Sequence, residues 1–493
     1  MKEPAPQAGK LIKHSTIYAI GTLSRQLVSF LMLPVYTRFM SPADYGVVGL
    51  LTFTLALMEP FFGARLGDAI PKFYFEKGAE ANRKSVLSVA LTITGGISGI
   101  AALIIFLCRN PASSMLFGSE KFGLIIGLFG FQIVTQALEY YGLTFIRIQQ
   151  KPLLFISVNL TKLVIQLGLN IWLIAFLKLG VMGVVISGGV SSTLYALGLT
   201  VYILYNTGYR FDFSIAKRML IFSWPLWFSG LAGLYIWQSN RYYIRLFGSL
   251  DQVGLYELAL KFAGILGFLA WSPFSQVWDV ERFYYHRNER ASELFGNVFR
   301  IVSVFLIIIG LGISIFADPT IKIMSALEFH KASASVPFLT VSSIFSCLIM
   351  FMNFSFLVSG NTKQITFNNY ITMAAITALN LTLIPKFGEI GAAIALMFAM
   401  ILQFFMTEKI AKKNFDMQIK ISPLLLSLAV GAIGYVLAVY GVTFKTLWLD
   451  LFAKTIVYFI FVFILAGVLW RDPNSRFYIS KITGPIVKRL LRR

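Results

Sequence analysis

Arg25, Lys162 and Lys261 each sit inside an apolar run long enough to cross a bilayer, and so do Glu139 and Glu257. An ionisable side chain placed there costs about 2.5–3.5 kcal/mol on insertion scales, so each needs a reason. At a rise of about 1.5 Å per residue, Arg25 lies about 13–16 Å from either end of its run, too deep to snorkel out. It must face protein or a water-filled cavity. By the same rise Lys162 lies about 14 Å and Lys261 about 10 Å from the start of their runs. Arg38, Arg241 and Arg245 lie near one rim. The chemistry open to such cations is anion binding: a guanidinium fork takes phosphate oxygens two at a time, and an ammonium adds a point charge. The other account is structural pairing. Glu257 is one helical turn from Lys261, and Glu139 has Arg25 or Arg147 as prospective partners. A buried carboxyl can also bind and release a proton, which makes Glu139 and Glu257 candidates for ion coupling. Asn369 and Asn380 carry oxygens suited instead to sodium.

The elements that hold these residues follow from composition. Of the 493 residues, 57% are hydrophobic and 13% charged, and the mean hydropathy is +0.74. Soluble proteins carry about 25% charged residues. Fourteen helical spans fit, at about 12–34, 46–64, 85–108, 122–146, 153–177, 181–206, 219–246, 254–278, 295–317, 336–358, 365–385, 389–408, 422–443 and 449–470. The polar start is read as leading into an uncleaved first span, not a signal peptide. Four basic residues (Arg25, Lys162, Lys261, Arg300) are placed within spans; of the rest, about 28 fall on one side and about 11 on the other. That asymmetry predicts both termini in the cytoplasm. The net charge of +21 is scattered over short loops, which is membrane topology and not a nucleic-acid surface. Cys108 and Cys347 make neither a disulfide framework nor a metal cluster, and no metal or cofactor site is expected.

The chain repeats itself at an offset near 208 residues. Tyr36-Thr37-Arg38, with Asp44 and Gly46, matches Tyr243-Ile244-Arg245, with Asp251 and Gly254. Asn170 and Gly180 through Gly183 match Asn380 and Gly388 through Gly391. Six spans separate the copies, an even number, so both have the same orientation. The expectation is an all-α integral membrane protein of two parallel six-helix lobes, 1–206 and 207–414. Two additional spans (415–470) and a basic cytoplasmic tail (471–493) complete it. The tail is amphipathic enough to lie along an anionic leaflet. Two matched lobes suit alternating access, with a site near the membrane midplane.

Leu33-Pro34-Val35-Tyr36-Thr37-Arg38 through Ser41-Pro42-Ala43-Asp44-Tyr45-Gly46 resembles the first hairpin of bacterial polysaccharide flippases. Phe222-Ser223-Trp224-Pro225-Leu226 and Leu383-Ile384-Pro385 through Gly391-Ala392-Ala393 resemble later segments of the same family. These are the O-antigen (Wzx-type), capsule and exopolysaccharide exporters of the multidrug/oligosaccharidyl-lipid/polysaccharide flippase superfamily. The resemblance implies turning over an undecaprenyl-diphosphate-linked oligosaccharide across the bacterial inner membrane. Membrane lipids and the polysaccharide polymerase and chain-length machinery are its expected partners. It gives Arg25, Lys162, Lys261, Arg241 and Arg245 a task, holding the diphosphate. One departure is Asn240, where relatives commonly carry an acidic residue.

Other classes fit less well. A drug or organic-cation exporter of the superfamily would favour an acidic site, whereas Arg25, Lys162 and Lys261 outnumber Glu139 and Glu257. A lipid II flippase is a closer variant. A glycan polymerase or ligase needs catalytic groups in a sizeable outer loop, and the longest, near residues 318–335, offers only Asp318, Glu328 and His330. No catalytic residue is expected, and no nucleotide-binding loop is present, so energy would come from an ion gradient or from consumption of the product. Trp224, Trp227, Trp237, Trp271 and Trp278 cluster in spans 7 and 8, suited to the membrane interface or to stacking on sugar rings. Pro34, Pro225 and Pro273 sit where helices can kink.

Overall fold

The computed structural model describes residues 30, 32–62, 66–76, 82–444 and 446–470. Arg25 and the basic tail lie outside the described residues. Among those described there is no β-strand, and ten helices are long and apolar enough to cross a membrane. One of the ten, Lys363–Asn414, has 52 residues, about twice what a bilayer needs. Gly388 breaks it with a φ of 58°, so its two arms hold the eleventh and twelfth predicted spans. The chain is a polytopic, all-helical membrane protein.

Two compact units form, Met1–Gly254 and Leu255–Arg493. The first holds α1 (Leu33–Phe39), α2 (Pro42–Phe62), α3 (Leu66–Tyr74), α4 (Asn82–Leu107), α5 (Arg109–Phe117), α6 (Gly123–Gly130), α7 (Gln132–Ile148), α8 (Pro152–Asn170), α9 (Gly180–Thr207), α10 (Phe213–Gln238) and α11 (Asn240–Phe247). The helix α12 (Leu250–Leu266) begins in the first unit and continues into the second. The second also holds α13 (Ser272–Tyr285), α14 (Ala291–Met324), α15 (Val336–Met352), α16 (Phe354–Val358), α17 (Lys363–Asn414), α18 (Ile421–Val436) and α19 (Leu447–Trp470). The repeat boundary read from sequence falls at residues 206–207, whereas the first compact unit continues through α10 and α11, which pack on α2, α3, α4 and α5.

Local sequence explains where these helices begin. The Ser41-Pro42-Ala43-Asp44 segment is a reciprocal cap: the Asp44 carboxylate accepts from the Ser41 amide at 3.2 Å, and the Ser41 hydroxyl accepts from the Asp44 amide at 3.1 Å. Proline suits the first helical position, where no amide hydrogen is needed. Asp212 starts α10 in the same way, accepting from the amides of Ser214 (2.8 Å) and Ile215 (3.2 Å). In the first unit α3 buries Leu66, Ile70 and Phe73 against Val86, Val89, Tyr141, Phe145 and Met219. The buried Tyr141 hydroxyl bonds to Thr94 at 2.7 Å.

Two features express the repeat in three dimensions. Gly180 and Gly388, repeat mates, both adopt a left-handed backbone, with φ of 54° and 58°, a conformation that costs glycine little. Gly46 and Gly254, also repeat mates, meet backbone to backbone. A Cβ at Gly46 would strike the Leu250 carbonyl oxygen, and one at Gly254 would strike the Pro42 carbonyl oxygen. Pro42 and Leu250 are repeat mates in turn, so the contact is reciprocal, as a local two-fold requires.

The second unit has an aromatic core. Trp278 stacks on Phe351 with centroids 5.4 Å apart and meets Phe295 edge-on at 5.1 Å. Trp271 and Trp278 are each 7% exposed. Neighbouring rings cover Trp278, and Trp271 packs beside Phe274 at 5.5 Å, so both side chains lie in the packed interior of this unit. Trp224, at 54% exposed, stays at the surface.

Candidate functional site

The polar groups of the first unit gather where α7, α8 and α9 run side by side. Lys162 on α8 donates to both carboxylate oxygens of Glu139 on α7, at 2.8 and 2.6 Å, and to the Ser192 hydroxyl of α9 at 3.3 Å. The two charged side chains are 20% and 12% exposed. Two residues expected to act separately, one on an anion and one on a proton, therefore form one neutral unit. Sequence reasoning offered Arg25 or Arg147 as the partner of Glu139; the structure gives Lys162. Arg147 is drawn instead to the Thr144 hydroxyl at 3.0 Å and lies over the rings of Tyr140 and Phe155. The cause is register: Glu139 is two helical turns from Arg147 on its own helix, too far for an i,i+4 contact, while α8 brings Lys162 alongside.

Chemically, the Glu139 carboxylate occupies the ammonium that any other anion reaching this position would have to share. While Glu139 carries its charge, Lys162 is occupied. A phosphate oxygen that takes the ammonium, or a proton that neutralises the carboxylate, frees the other partner. An apolar cavity of about 410 Å³ lies between the same three helices, with Val158 and Tyr195 each about one turn from Lys162 and Ser192.

A second polar network joins α1, α8 and α9. Asn170 donates to the Tyr36 hydroxyl at 3.0 Å and accepts from Ser187 at 2.5 Å. It ties the first repeat motif to the span that carries Lys162.

The other expected site residues are placed as follows. Arg241 is 8% exposed, and its guanidinium donates to the Trp237 carbonyl at 3.1 Å. The Arg245 guanidinium lies against Gly118, where a Cβ would collide with it. Arg241 and Arg245 share α11, whose buried residues are Asn240, Arg241 and Ile244. Lys261 and Glu257 interact electrostatically one turn apart on α12. Asn369 accepts from the Gln403 amide at 2.7 Å, and next to it Asn368 donates to Thr407 at 3.3 Å. These bonds lace together the two arms of α17, while Asn380 is fully buried on its first arm.

Sequence reasoning missed a charged pair in which both side chains are largely buried. Lys454 on α19 bonds Asp450 at 2.7 Å, with side chains 6% and 13% exposed, and was not among the four basic residues assigned to spans. The signal was present as an Asp-to-Lys spacing of four inside an apolar run. Among the described residues no group of His, Cys, Asp and Glu could hold a metal ion.

Residues 35–334 match the family described as polysaccharide biosynthesis protein. The chain belongs to that family. Its fold is that of the lipid and drug flippases. A structure of the lipid II flippase MurJ in an inward closed conformation superposes with a TM-score of 0.75 at 15% identity, covering 94% of this chain and 99% of that one. An inward-facing multidrug resistance MATE transporter of the MOP superfamily gives 0.61 at 15% identity, covering 80% and 98%. An uncharacterized membrane protein of Haemophilus influenzae is 27% identical over 118 residues, 24% of this chain. The chain spans about 29% of the length of that relative.

Proposed function

We propose that this protein is a flippase that carries an undecaprenyl-diphosphate-linked oligosaccharide from the inner to the outer leaflet of the bacterial inner membrane. The product would feed O-antigen, capsule or exopolysaccharide assembly. It does so by alternating access, without covalent chemistry, and both termini are cytoplasmic. Membership in a polysaccharide biosynthesis family and the fold of lipid flippases support the cargo class. The observation that carries the site is the Lys162–Glu139–Ser192 triangle. It sets a cation deep in an apolar span yet leaves the resting protein neutral there.

The proposed cycle follows from that neutrality. An unpaired ammonium at this depth would be costly, and so would a diphosphate entering a low-dielectric cavity. Exchange of Glu139 for a phosphate oxygen on Lys162 avoids both costs, and uptake of a proton by Glu139 completes the exchange. Arg25 adds a bidentate phosphate contact, and Lys261, Arg241 and Arg245 provide further cationic stations. The polyprenyl tail stays in lipid throughout. Polymerase and chain-length machinery would receive the cargo on the outer side.

The test uses cells that lack this protein and retain the sugar-assembly enzymes. Lipid-linked oligosaccharides are extracted and probed for sidedness. Complete repeat units accumulating on the cytoplasmic face, relieved by wild type and not by Arg25→Ala or Lys162→Met, are the expected result. Surface glycan made at normal levels with no accumulation would refute the cargo assignment.

A further inference from the structure

The apolar cavity of about 410 Å³ between α7, α8 and α9 has a cation near each end. At one end, Val158 and Tyr195 on its walls stand about one helical turn from Lys162 and Ser192. At the other, the Tyr202 ring lines the wall, and its hydroxyl accepts from the Lys151 ammonium at 3.0 Å and donates to Gln149 at 2.6 Å. Lys151 and Lys162 thus bracket the cavity on α8, about 16 Å apart along the helix axis. Among the lining residues only Tyr195 and Tyr202 carry a polar side-chain atom, and that of Tyr202 is already bonded.

Covalent connectivity limits what can fill such a space. In a polyprenyl diphosphate the phosphate is bonded directly to the first isoprene unit, so a cation holding that phosphate needs apolar space immediately beside it. A free anion makes no such demand. A phospholipid sets a glycerol ester between its phosphate and its hydrocarbon, and buried ester oxygens without donors are costly. Length fits as well. From Leu194 to Tyr202 the cavity follows α9 for about 12 Å. An isoprene unit adds four carbon–carbon bonds of about 1.5 Å each, so about two units fill it.

We propose that this cavity holds the first isoprene units of the cargo while Lys162 holds its diphosphate. The proposal rests on the reading of Lys162 given above and adds recognition of the prenyl chain to it. The open side lies at Leu194, 55% exposed, where the rest of the tail passes into lipid. Under the proposed topology the cavity is on the cytoplasmic side of Lys162. A headgroup drawn to mid-depth leaves its tail in the leaflet it came from, which is that side.

The test titrates geranyl diphosphate, which has two isoprene units, into the purified full chain in detergent, beside inorganic diphosphate and geraniol. Wild type should bind geranyl diphosphate about tenfold more tightly than inorganic diphosphate, a difference of about 1.4 kcal/mol. Gly198 lines the cavity, and a Cβ there meets nothing within 4 Å, so Gly198→Phe fills the space without a backbone clash. This variant should still bind inorganic diphosphate, which also reports its folding, while its preference for geranyl diphosphate falls to within about twofold. Gly198→Leu should lose part of the preference, and Lys162→Met should bind neither diphosphate. A full preference surviving in Gly198→Phe would overturn the cavity assignment and leave the reading of Lys162 standing. Failure of both diphosphates to bind wild type would overturn that reading and this inference with it. Geraniol bound as tightly as geranyl diphosphate would also overturn the proposal. So would a phospholipid held by wild type and released by Gly198→Phe in native mass spectrometry.

Discussion

Removing either member of the Lys162–Glu139 pair should damage the protein more than removing both. The bonds are short, and the side chains are only 20% and 12% exposed. Breaking a buried pair costs about 3–5 kcal/mol because a charge is left behind, whereas exposed pairs are worth about 0–1 kcal/mol. With a fifth of Lys162 still reachable, the lower end applies, about 3 kcal/mol for Lys162→Met or Glu139→Gln. In Glu139→Gln/Lys162→Met no charge is stranded, so stability should return to within about 1 kcal/mol of wild type, a coupling of several kcal/mol. Thermal unfolding of the purified protein in detergent measures the first quantity. Lipid-linked oligosaccharide accumulation in cells, normalised to membrane abundance, measures the second. Under the proposed cycle the double variant regains stability and does not export, because the cation assigned to the phosphate is gone. Additive losses within about 0.5 kcal/mol would mean that the two charges do not interact. Full export by the double variant would reduce the pair to a structural strut and remove Lys162 from the site.

Further outcomes can be checked independently. Gly46→Ala puts a Cβ against the Leu250 carbonyl and should cost about 1–3 kcal/mol, read as lost thermal stability. Gly95→Ala, with open space around it, should instead gain about 0.5–1 kcal/mol. Cys108 is exposed and Cys347 buried; a membrane-impermeant maleimide added to cells with a permeabilised outer membrane should label Cys108 alone. Labelling only after lysis would invert the proposed topology. Lys454→Met should lower detergent stability by about 3 kcal/mol, and Asp450→Asn/Lys454→Met should recover most of it, without the export defect expected of Lys162 variants.

Hydropathy alone was enough to establish an all-helical membrane protein, because a bilayer leaves a chain this apolar few other ways to satisfy its backbone. The offset near 208 residues was legible too, since the turns that shape each repeat need particular residues: glycines with a left-handed backbone at 180 and 388, and Ser41 with Asp44 at a helix start. The charge at Lys162 and Glu139 announced itself through the cost of burying it. Which charge met which could not be read, because partners on neighbouring helices depend on the rotation of each helix about its axis. That rotation is a sum of many packing contacts, and it set Lys162 beside Glu139 and sent Arg147 to Thr144. The same holds for Trp278, whose composition suited an interface and whose neighbours placed it in a core. Sequence determines the spacing of groups along a helix; only tertiary packing decides what stands opposite them.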